Sequence, residues 1–224
     1  VRNNVIGVKI IADLSIQHKV ERFVMISTDK AVNPTNVMGA SKRMAEMYVQ
    51  ALSNQPELAT KFITTRFGNV LGSNGSVIPF FQKLARKGEP LPLTDLRMTR
   101  FWISLEKAVD FVLTSLEMMN GGELYVPQIP SMRIVDLAQA VAPNSEMKEI
   151  GMRAGEKLHE EMISADDSRR TIKLNNRFVV TPVVAEWGYN TPVGDFMPEG
   201  LAYRSDTNDM WISASDIKKF IDQL

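Results

Sequence analysis

The stretch ERFVMISTDKAVNPTNVMGASKRMAEMYVQALS at residues 21–53, followed by KFITTRFGNV at residues 61–70, decides the fold class. Within it, the continuous apolar run Phe23–Ile26 predicts a strand that is buried on both faces, as strands of parallel sheets are. A polar loop containing Pro34 follows, and apolar residues at helical spacing then predict a helix over 37–53. Residues 61–70 predict a second buried strand. This order of strand, loop, helix and strand is typical of a doubly wound, Rossmann-like parallel α/β sheet.

The remaining chain adds a helix before this stretch and a change of pattern after it. Apolar residues at helical spacing predict a helix over residues 1–18. After Gly75 the alternation of helices and strands becomes irregular, so we expect 1–75 to be the C-terminal part of a Rossmann-like domain. Residues 76–224 should form a smaller mixed α/β region that is partly interleaved with the first part. The predicted core-facing stripe of the second helix consists of Val37, Ala40, Met44, Met47, Tyr48 and Ala51.

Composition excludes several classes of function. With 44% apolar residues among 224, the chain can bury a sizeable core. Its 26 basic and 26 acidic side chains balance, which argues against a general nucleic-acid binder. There is no cysteine, which excludes disulfides, zinc–thiolate sites and cysteine nucleophiles, and with only two histidines we expect no metal site. No apolar run approaches the ~18 residues of a membrane-spanning helix.

The beginning of the chain indicates a fragment. The opening segment VRNNVIGVKIIADLS starts at Val1 and already has helical periodicity. We therefore expect the chain to be the C-terminal part of a longer protein. A Gly-rich dinucleotide-binding turn is absent from this sequence, so the main cofactor-binding motif is expected upstream, as is any membrane anchor.

The strongest candidate for chemistry is the cluster Ser27-Thr28-Asp29-Lys30, where the first predicted strand ends. Ligands of open α/β folds bind at the carboxyl ends of strands. The cluster offers hydroxyl, carboxylate and ammonium groups. Lys42 follows Met38 by four residues, so both lie on one face of the next helix. A capped loop followed by a helix with a solvated lysine has the same residue types, and the residue types alone leave both interpretations open.

The segment STDKAVNPTNVMGASK at 27–42 resembles the active site of extended short-chain dehydrogenase/reductases, most closely the polysaccharide-biosynthesis 4,6-dehydratases that act on UDP-N-acetylglucosamine. In that superfamily a serine or threonine at a strand end precedes Tyr-x-x-x-Lys on a helix. Lys42 matches the lysine, but Met38 occupies the tyrosine position, and a thioether has no proton to transfer. The long, membrane-anchored branch of these dehydratases is similar in having methionine here. Met38 therefore narrows the resemblance to this branch of the family.

Other segments resemble this family in the same order along nearly the whole chain. They are RNNVIG (2–7), TRFGNVLGSNGSVIPFF (65–81), LTDLRMTRFWIS (93–104), IGMRAGEKLHEEMIS (150–164, with Ala154 where the family usually has proline) and MPEGLAYRSDTND (197–209). The resemblance implies cofactor contacts by Asn4, Ser27, Lys42, Phe67 and Asn69. It implies substrate contacts by Asn69, Ser76, Arg100, Arg153 and Glu156. It also implies that 1–75 belongs to the catalytic domain and that 76–224 is mainly the region that binds the UDP-sugar substrate. An arginine can pair bidentately with phosphate, and a carboxylate can accept ribose hydroxyls, although an isolated arginine can equally form a surface ion pair.

The resemblance further implies a reaction and a set of roles. A nicotinamide cofactor, NAD or NADP, would take hydride from carbon 4 of the UDP-sugar, water would be lost across carbons 5 and 6, and hydride would return to carbon 6. Asp29 would be the acid for the leaving hydroxyl and Lys30 the base at carbon 5. Thr28 would orient the carbon 4 hydroxyl, and Lys42 would bind the nicotinamide ribose. The proton of that hydroxyl would leave through water, Lys42 or Asp29.

Two rival functions stay open at this point. A nucleotide-sugar epimerase shares the hydride step but omits elimination, and the Asp29–Lys30 pair favours dehydration. A non-catalytic UDP-sugar sensor or scaffold is favoured by Met38 and disfavoured by Asp29, Lys30 and Lys42 together. The resemblance also implies a homo-oligomer, a cytoplasmic location as the cytoplasmic part of a bacterial inner-membrane protein, and membrane attachment only through a missing N-terminal segment.

Overall fold

A computed structural model describes residues 1–55, 57–73, 76–183 and 189–221. After a π-helical turn at Arg2–Gly7, the helices are α1 (Val8–Gln17), α2 (Val37–Ser53), α3 (Val77–Arg86), α4 (Leu105–Met118), α5 (Ile134–Val141), α6 (Ala165–Ser168) and α7 (Ala214–Ile221). The strands are β1 (Arg22–Thr28), β2 (Lys61–Phe67), β3 (Asn69–Val70), β4 (Leu91–Leu93), β5 (Thr99–Ile103), β6 (Leu124–Pro127), β7 (Ser131–Arg133), β8 (Met147–Glu149), β9 (Glu161–Ile163), β10 (Thr171–Lys173), β11 (Arg177–Val180), β12 (Asp195–Phe196) and β13 (Tyr203–Arg204).

The chain divides into two compact units, each made of three segments. The first unit contains Val1–Phe67, Val109–Gln128 and Glu161–Tyr203, and the second contains Gly68–Ala108, Ile129–Glu160 and the segment from Arg204 onward. Each unit therefore takes segments from several parts of the chain. The predicted assignment of catalysis to 1–75 and of substrate binding to 76–224 stays a prediction.

The first unit is built on a mixed sheet with the strand order β1-β2-β6-β11-β10-β12. Strands β1, β2 and β6 run parallel, and β11, β10 and β12 join as antiparallel neighbours. In the β1–β2 register Ser27 lies opposite Arg66 and Thr28 opposite Phe67. The predicted Rossmann-like α/β class is confirmed, as are the predicted strands at β1 and β2 and the helix α2. The predicted helix over 1–18 exists as α1, preceded by the π-helical turn.

One predicted property of β1 is wrong. The run Phe23–Ile26 was expected to be buried on both faces, but Ile26 is 49% exposed. Its neighbours Met25 and Ser27 are buried, because alternate side chains of a strand point to opposite faces. Met25 packs with Ala12 of α1 and residues of α2. On the other face, Val24 packs half-buried against the cluster that contains Phe111, so that face is covered only in part.

The predicted stripe of α2 is also wrong. Val37, Met44 and Met47 are exposed in this structure. The buried residues of α2 are instead small or polar as well as apolar, and they are Gly39, Ser41, Ala45, Glu46, Val49 and Leu52. The small residues let the helix approach β1 closely. Glu46 can be buried because a cationic side chain pairs with its carboxylate, and the hydropathy of α2 alone does not reveal such a pair.

That cation is Arg66 of β2, whose side chain is fully buried. Its Nε donates to Glu46 Oε1 at 3.0 Å, and a second guanidinium nitrogen donates to Glu46 Oε2 at 2.6 Å. The third nitrogen donates to the carbonyl of Met162 on β9 at 2.7 Å. Burial raises the pKa of Glu46, but the charge and hydrogen bonds of Arg66 outweigh it and hold that pKa below its ordinary value. The pair thus joins α2, β2 and β9.

The second unit contains smaller sheets. Strand β5 pairs in parallel with β3 and antiparallel with β7, and β4 pairs in parallel with β8. Helix α3 begins after Ser76, and its Ile78 packs with Trp102 of β5, Leu137 of α5 and Ile217 of α7. Within the described ranges, none of the helices combines the length and apolar character needed to cross a membrane.

We expect Arg66→Met to lower the free energy of unfolding by about 3 kcal/mol, because it leaves the Glu46 carboxylate buried with only the half-buried Arg43, 3.0 Å away, as its charge partner. Arg133→Met is the matched control: it breaks an exposed pair with Asp136, whose loss costs about 0–1 kcal/mol. Urea unfolding of the two variants measures the difference. Because the Glu46 pKa is lowered on folding, the wild-type advantage should be present near neutral pH and fade as the pH falls through that pKa. Equal losses in both variants contradict this interpretation.

Candidate functional site

The turn Ser27–Lys30 lies at the carboxyl end of β1 and is held by its own side chains. Thr28 Oγ1 donates to Asp29 Oδ1 at 2.7 Å, and Lys30 Nζ donates to the same oxygen at 3.0 Å. Asp29 is fully buried, whereas Thr28 and Lys30 are half-buried. The second carboxylate oxygen of Asp29, Oδ2, is also buried and accepts no hydrogen bond within the described ranges. The structure thus confines a carboxylate between a hydroxyl and an ammonium.

The N-terminus of α2 is fixed against this turn. Asn36 caps the helix by accepting a hydrogen bond from the Gly39 amide at 2.9 Å. A Cβ at Gly39 would overlap the carbonyl oxygen of Lys30, so only glycine permits this approach of helix and turn. The approach holds the backbone of Lys30 beside the helix that carries Met38 and Lys42.

Lys42 reaches back from α2 to the end of β1. Its Nζ donates to the carbonyl of Ile26 at 2.9 Å. Burial lowers the pKa of Lys42, and the carboxylate of Glu46 one helical turn away opposes the shift. Asn4 of the π-helical turn donates to Ser41 Oγ at 3.0 Å, and Ser41 Oγ donates to the Met38 carbonyl at 2.8 Å. Asn4 therefore supports the backbone of α2.

Several predicted residues of the first unit thus come together. Thr28, Asp29 and Lys30 are linked directly by hydrogen bonds, and the approach at Gly39 ties their turn to α2, which carries Met38 and Lys42. Three further predicted site residues belong to the same unit. Ser27 is buried opposite Arg66, Asn4 lies in the π-helical turn, and Phe67 lies at the end of β2. The half-buried Phe67 packs on Ile63, Phe111 and Tyr125. Such an arrangement presents a hydroxyl, a carboxylate and an amine side by side, which are groups that acid–base chemistry uses.

The remaining predicted residues lie in the second unit. Asn69 on β3 faces Trp102 across the β3–β5 pair. Ser76 precedes α3, and its buried hydroxyl makes no hydrogen bond to the described part of the chain. Arg153 is exposed and lies 4.0 Å from Glu156, whose carboxylate accepts a hydrogen bond from the Arg153 amide at 3.1 Å. Gly155 has a φ of 80°, so the turn from Arg153 to Glu156 depends on glycine.

Arg100 is placed differently from a typical phosphate ligand. Its side chain is buried, and its guanidinium donates to the carbonyls of Thr99, Lys157 and Leu158 at 2.7, 3.0 and 3.2 Å. Glu160 Oε1 lies 3.6 Å from its Nε. These contacts fix the segment that follows Glu156. A direct contact of Arg100 with substrate stays a prediction.

Sequence reasoning missed a second network that fixes the same segment. His159 Nδ1 lies 2.8 Å from Thr99 Oγ1, and Thr99 Oγ1 lies 2.7 Å from Ser205 Oγ. Ser205 also accepts a hydrogen bond from the Glu160 amide at 2.9 Å. Burial lowers the pKa of His159, against the raising effect of Asp206. No motif signals this network, because its members are far apart in sequence.

Glu46, Arg66 and Gly39 were missed as well. Gly39 lies inside the segment 27–42 that resembles the family's active site. A glycine between Asn36 and Lys42, at the start of a helix, could have indicated a close approach of that helix to another part of the backbone. Glu46 and Arg66 are 20 residues apart, and the available signal was Arg66, the one charged residue in the β-rich run 62–67.

The comparisons with known proteins point in one direction. Residues 1–182 match the family described as polysaccharide biosynthesis protein. A UDP-N-acetylglucosamine 4,6-dehydratase (inverting) from Campylobacter jejuni is 44% identical over 231 residues, covering 99% of this chain and 69% of that protein. A UDP-glucose 4-epimerase from Rickettsia canadensis is 36% identical, covering 80% of this chain and 54% of the epimerase. The X-ray structure of Pen from Bacillus thuringiensis has a TM-score of 0.85 and 29% identity, covering 99% of this chain and 68% of that one.

We expect Gly39→Ala to destabilise the chain by about 1–3 kcal/mol, because the new methyl group meets the Lys30 carbonyl and forces the turn and α2 apart. Gly7→Ala is the control, since its Cβ finds ordinary contact at 3.5 Å and its φ of −61° is helical, so this change should be neutral or stabilising by up to ~1 kcal/mol. Urea unfolding gives the energies, and the Lys30 amide resonance should shift only in Gly39→Ala. An unaltered turn in that variant overturns the assignment.

Proposed function

The chain belongs to the polysaccharide biosynthesis protein family, and we propose that it is a nucleotide-sugar 4,6-dehydratase that converts UDP-N-acetylglucosamine to a UDP-4-keto-6-deoxy sugar. The observation that carries the proposal is the turn Thr28–Asp29–Lys30, which joins a hydroxyl, a buried carboxylate and an ammonium at the carboxyl end of a parallel strand. The 44% identity with the Campylobacter dehydratase, over 69% of its length, supports the same substrate and reaction.

The turn supplies the groups that dehydration requires. A ketone at carbon 4 acidifies the proton on carbon 5. The proton that Lys30 shares with Asp29 across their 3.0 Å hydrogen bond passes to the carboxylate, so that Lys30, as a neutral amine, takes the carbon 5 proton. Asp29 then gives its proton to the hydroxyl that leaves carbon 6 as water, and Thr28 binds the carbon 4 hydroxyl. Such general acid–base steps each contribute about 10²–10⁴-fold to a rate. The carboxylate is confined by burial and two hydrogen bonds, which keeps it in one position for this work.

A nicotinamide cofactor, NAD or NADP, supplies the acceptor that takes hydride from carbon 4 and returns it to carbon 6. The residues of the first unit fit its ribose. The Lys42 ammonium has three N–H donors and uses one on the Ile26 carbonyl, so it has donors for ribose hydroxyls. We propose that Lys42 holds the nicotinamide ribose, with further contacts by Asn4, Ser27, Phe67 and Asn69.

The second unit offers groups for the UDP part. We propose that Arg153 and Glu156 bind the diphosphate and ribose, since the arginine is exposed and the Gly155 turn presents both side chains. Asn69 and Ser76 add neutral contacts. Arg100 positions residues 157–160 through main-chain hydrogen bonds and so supports this turn indirectly.

Two alternatives remain as competitors. The 36% identity with a UDP-glucose 4-epimerase favours an epimerase, but epimerisation at carbon 4 needs no acid for a leaving hydroxyl and no base at carbon 5. A sensor that only binds UDP-sugar explains Met38, but it has no chemical use for the Thr28–Asp29–Lys30 turn. A homo-oligomer, a cytoplasmic location and attachment of the parent protein to a membrane stay proposals.

The direct test is proton NMR of UDP-N-acetylglucosamine in deuterated water with the natural-length protein and its nicotinamide. We expect a new carbon 6 methyl signal and deuterium at carbon 5. Appearance of the carbon 4 epimer without a methyl signal identifies an epimerase. An unchanged spectrum while calorimetry shows UDP-sugar binding identifies a sensor.

We expect Lys30→Ala to abolish elimination, with a rate loss of about 10²–10⁴-fold, and to leave UDP binding unchanged, because the base is lost but the uridine contacts lie on other residues. Lys87→Ala is the control, since Lys87 is exposed and pairs only loosely with Glu89 at 3.7 Å. Product formation by NMR and UDP binding by calorimetry provide the two readouts. Normal turnover by Lys30→Ala removes Lys30 from the mechanism.

A further inference from the structure

The proposed UDP-binding turn, Arg153–Glu156, depends on the residues that follow it. Two hydrogen bonds close the turn between its own ends, at 3.1 Å each, but they do not fix the direction in which it points. Residues 157–160 are attached to β5, where the Thr99 amide donates to the Leu158 carbonyl at 3.2 Å and Thr99 forms a parallel bridge with His159. The contacts that fix this segment therefore also orient the turn.

Buried side chains attach the same segment a second time. Thr99 Oγ1 lies 2.8 Å from His159 Nδ1 and 2.7 Å from Ser205 Oγ. The Ser205 hydroxyl accepts a hydrogen bond from the Glu160 amide at 2.9 Å, and the Ser205 amide donates to the Glu160 carbonyl at 2.9 Å. Thr99 and Ser205 are buried, so the two hydroxyls must satisfy each other and the His159 ring without bulk water.

The surroundings of the ring indicate how the protons of these hydroxyls are arranged. His159 Nε2 lies 3.8 Å from Asp206 Oδ2, and a carboxylate at this place favours a proton on Nε2. Nδ1 of the neutral ring then accepts the proton of the Thr99 hydroxyl, and Thr99 Oγ1 in turn accepts that of Ser205. The Ser205 oxygen accepts the Glu160 amide proton. In this order each hydroxyl donates one hydrogen bond and accepts one.

A second proton on the ring reverses this order. Both nitrogens of an imidazolium donate, so Thr99 Oγ1 must accept from Nδ1 and turn its own proton toward Ser205. The Ser205 proton is then left with the Thr99 carbonyl, which lies farther away, at 3.3 Å. Protonation therefore loosens the attachment of residues 157–160.

The charges around His159 oppose its protonation on balance. Burial lowers the pKa of His159, and three nearby guanidinium groups lower it further, against the raising effect of one carboxylate. The charged side chains close to the ring come from the loop before β5, from β5 and from the segment after Arg204, and they are Asp95, Arg97, Arg100, Arg204 and Asp206. The neutral ring is thus the form that the fold stabilises.

We propose that His159 is a positioning residue for UDP binding. Its neutral ring, through the hydroxyls of Thr99 and Ser205, holds the turn Arg153–Glu156 in the orientation that binds UDP, and protonation of the ring weakens that binding. The inference rests on the proposed function only in that the turn binds UDP, and it does not depend on the reaction that follows. His159 acts through the segment 157–160 and not by contact with the sugar.

The pH dependence of binding tests this role, with the natural-length protein and the methyl ester of UDP as ligand. The ester has no sugar to turn over, and its phosphates carry no proton that titrates between about pH 5 and pH 8, the range in which a histidine changes its charge. Calorimetry gives the Kd. We expect the wild-type protein to bind the ester about 10-fold more weakly at the acid end of this range, since the loss of one buried hydrogen bond has about this effect.

Substitutions separate the hydrogen bonds from the charge. His159→Asn keeps an acceptor for the Thr99 hydroxyl but takes up no proton, so it should bind the ester like wild type near neutral pH and retain that affinity in acid. His159→Leu and Thr99→Val each remove one partner and should bind about 10-fold more weakly throughout, whereas Thr99→Ser should bind like wild type. His18→Asn is the matched control, because the chain has two histidines and His18 is exposed after α1. Urea unfolding shows which variants retain their fold.

Nitrogen-15 spectra of labelled histidine provide a readout without turnover. The resonances of His159 are those that disappear in His159→Asn. Near neutral pH the proton should lie on Nε2, and the midpoint of protonation should lie below the ordinary histidine value, because burial lowers the pKa. The UDP ester should lower that midpoint further, since a ligand that requires the neutral ring disfavours its protonation to the same extent. A midpoint that rises when the ester binds contradicts the proposal.

The outcomes separate the positioning role from the proposed reaction. Binding by wild type that is unchanged in acid overturns the role, and tighter binding in acid shows that the charge of the ring attracts the diphosphate instead. A loss in acid that persists in His159→Asn overturns it as well, because another group then titrates. If the ester does not bind wild type at any pH, the UDP site fails and the role fails with it. Weaker binding in acid by wild type but not by His159→Asn supports the role even where UDP-N-acetylglucosamine gives no methyl product, in which case the proposed reaction alone fails.

Discussion

The buried ion pair between Glu46 and Arg66 is the constraint on which the candidate site depends. It ties α2, which carries Met38 and Lys42, to β2. The register of β2 with β1 places Thr28 opposite Phe67, directly before Asp29. Burying two charges is costly unless each meets the other in good geometry, so neither side chain can move alone. A third contact, to the Met162 carbonyl, extends the same constraint to β9. The helix and the two parallel strands are thereby held at a fixed offset.

Within that frame, small residues bring the chemical groups together. The absent side chain of Gly39 lets α2 touch the backbone of Lys30, and Asn36 closes the first turn of the helix. Asp29 then lies in the interior while Thr28 and Lys30 keep one side toward solvent. One oxygen of the Asp29 carboxylate is shared by two donors, and the other accepts no hydrogen bond within the described ranges.

Features of the fold could be predicted from the sequence when the residues that form them are close together in the chain, and not when those residues are far apart. Local signals were sufficient for β1, α2 and β2, because the spacing of apolar residues acts over a few residues. The segment 27–42 also identified the candidate catalytic groups. The core-facing side of α2 was predicted wrongly, since its buried face contains Glu46, whose partner lies 20 residues away. The occupied guanidinium of Arg100 and the network of Thr99, His159 and Ser205 depend on contacts across more than 50 residues, which no local pattern encodes.

We propose that the Thr28–Asp29–Lys30 turn performs the acid–base chemistry on the sugar, and a crystal structure of the natural-length protein with its nicotinamide and UDP-N-acetyl-6-deoxyglucosamine would show whether the sugar binds there. We predict that the carbon 4 hydroxyl lies within hydrogen-bond reach of Thr28 Oγ1, about 2.6–3.2 Å, with Lys30 Nζ beside carbon 5 and Asp29 on the side of carbon 6. A sugar bound with carbon 4 away from the turn, or with water alone contacting its hydroxyl, would contradict this proposal.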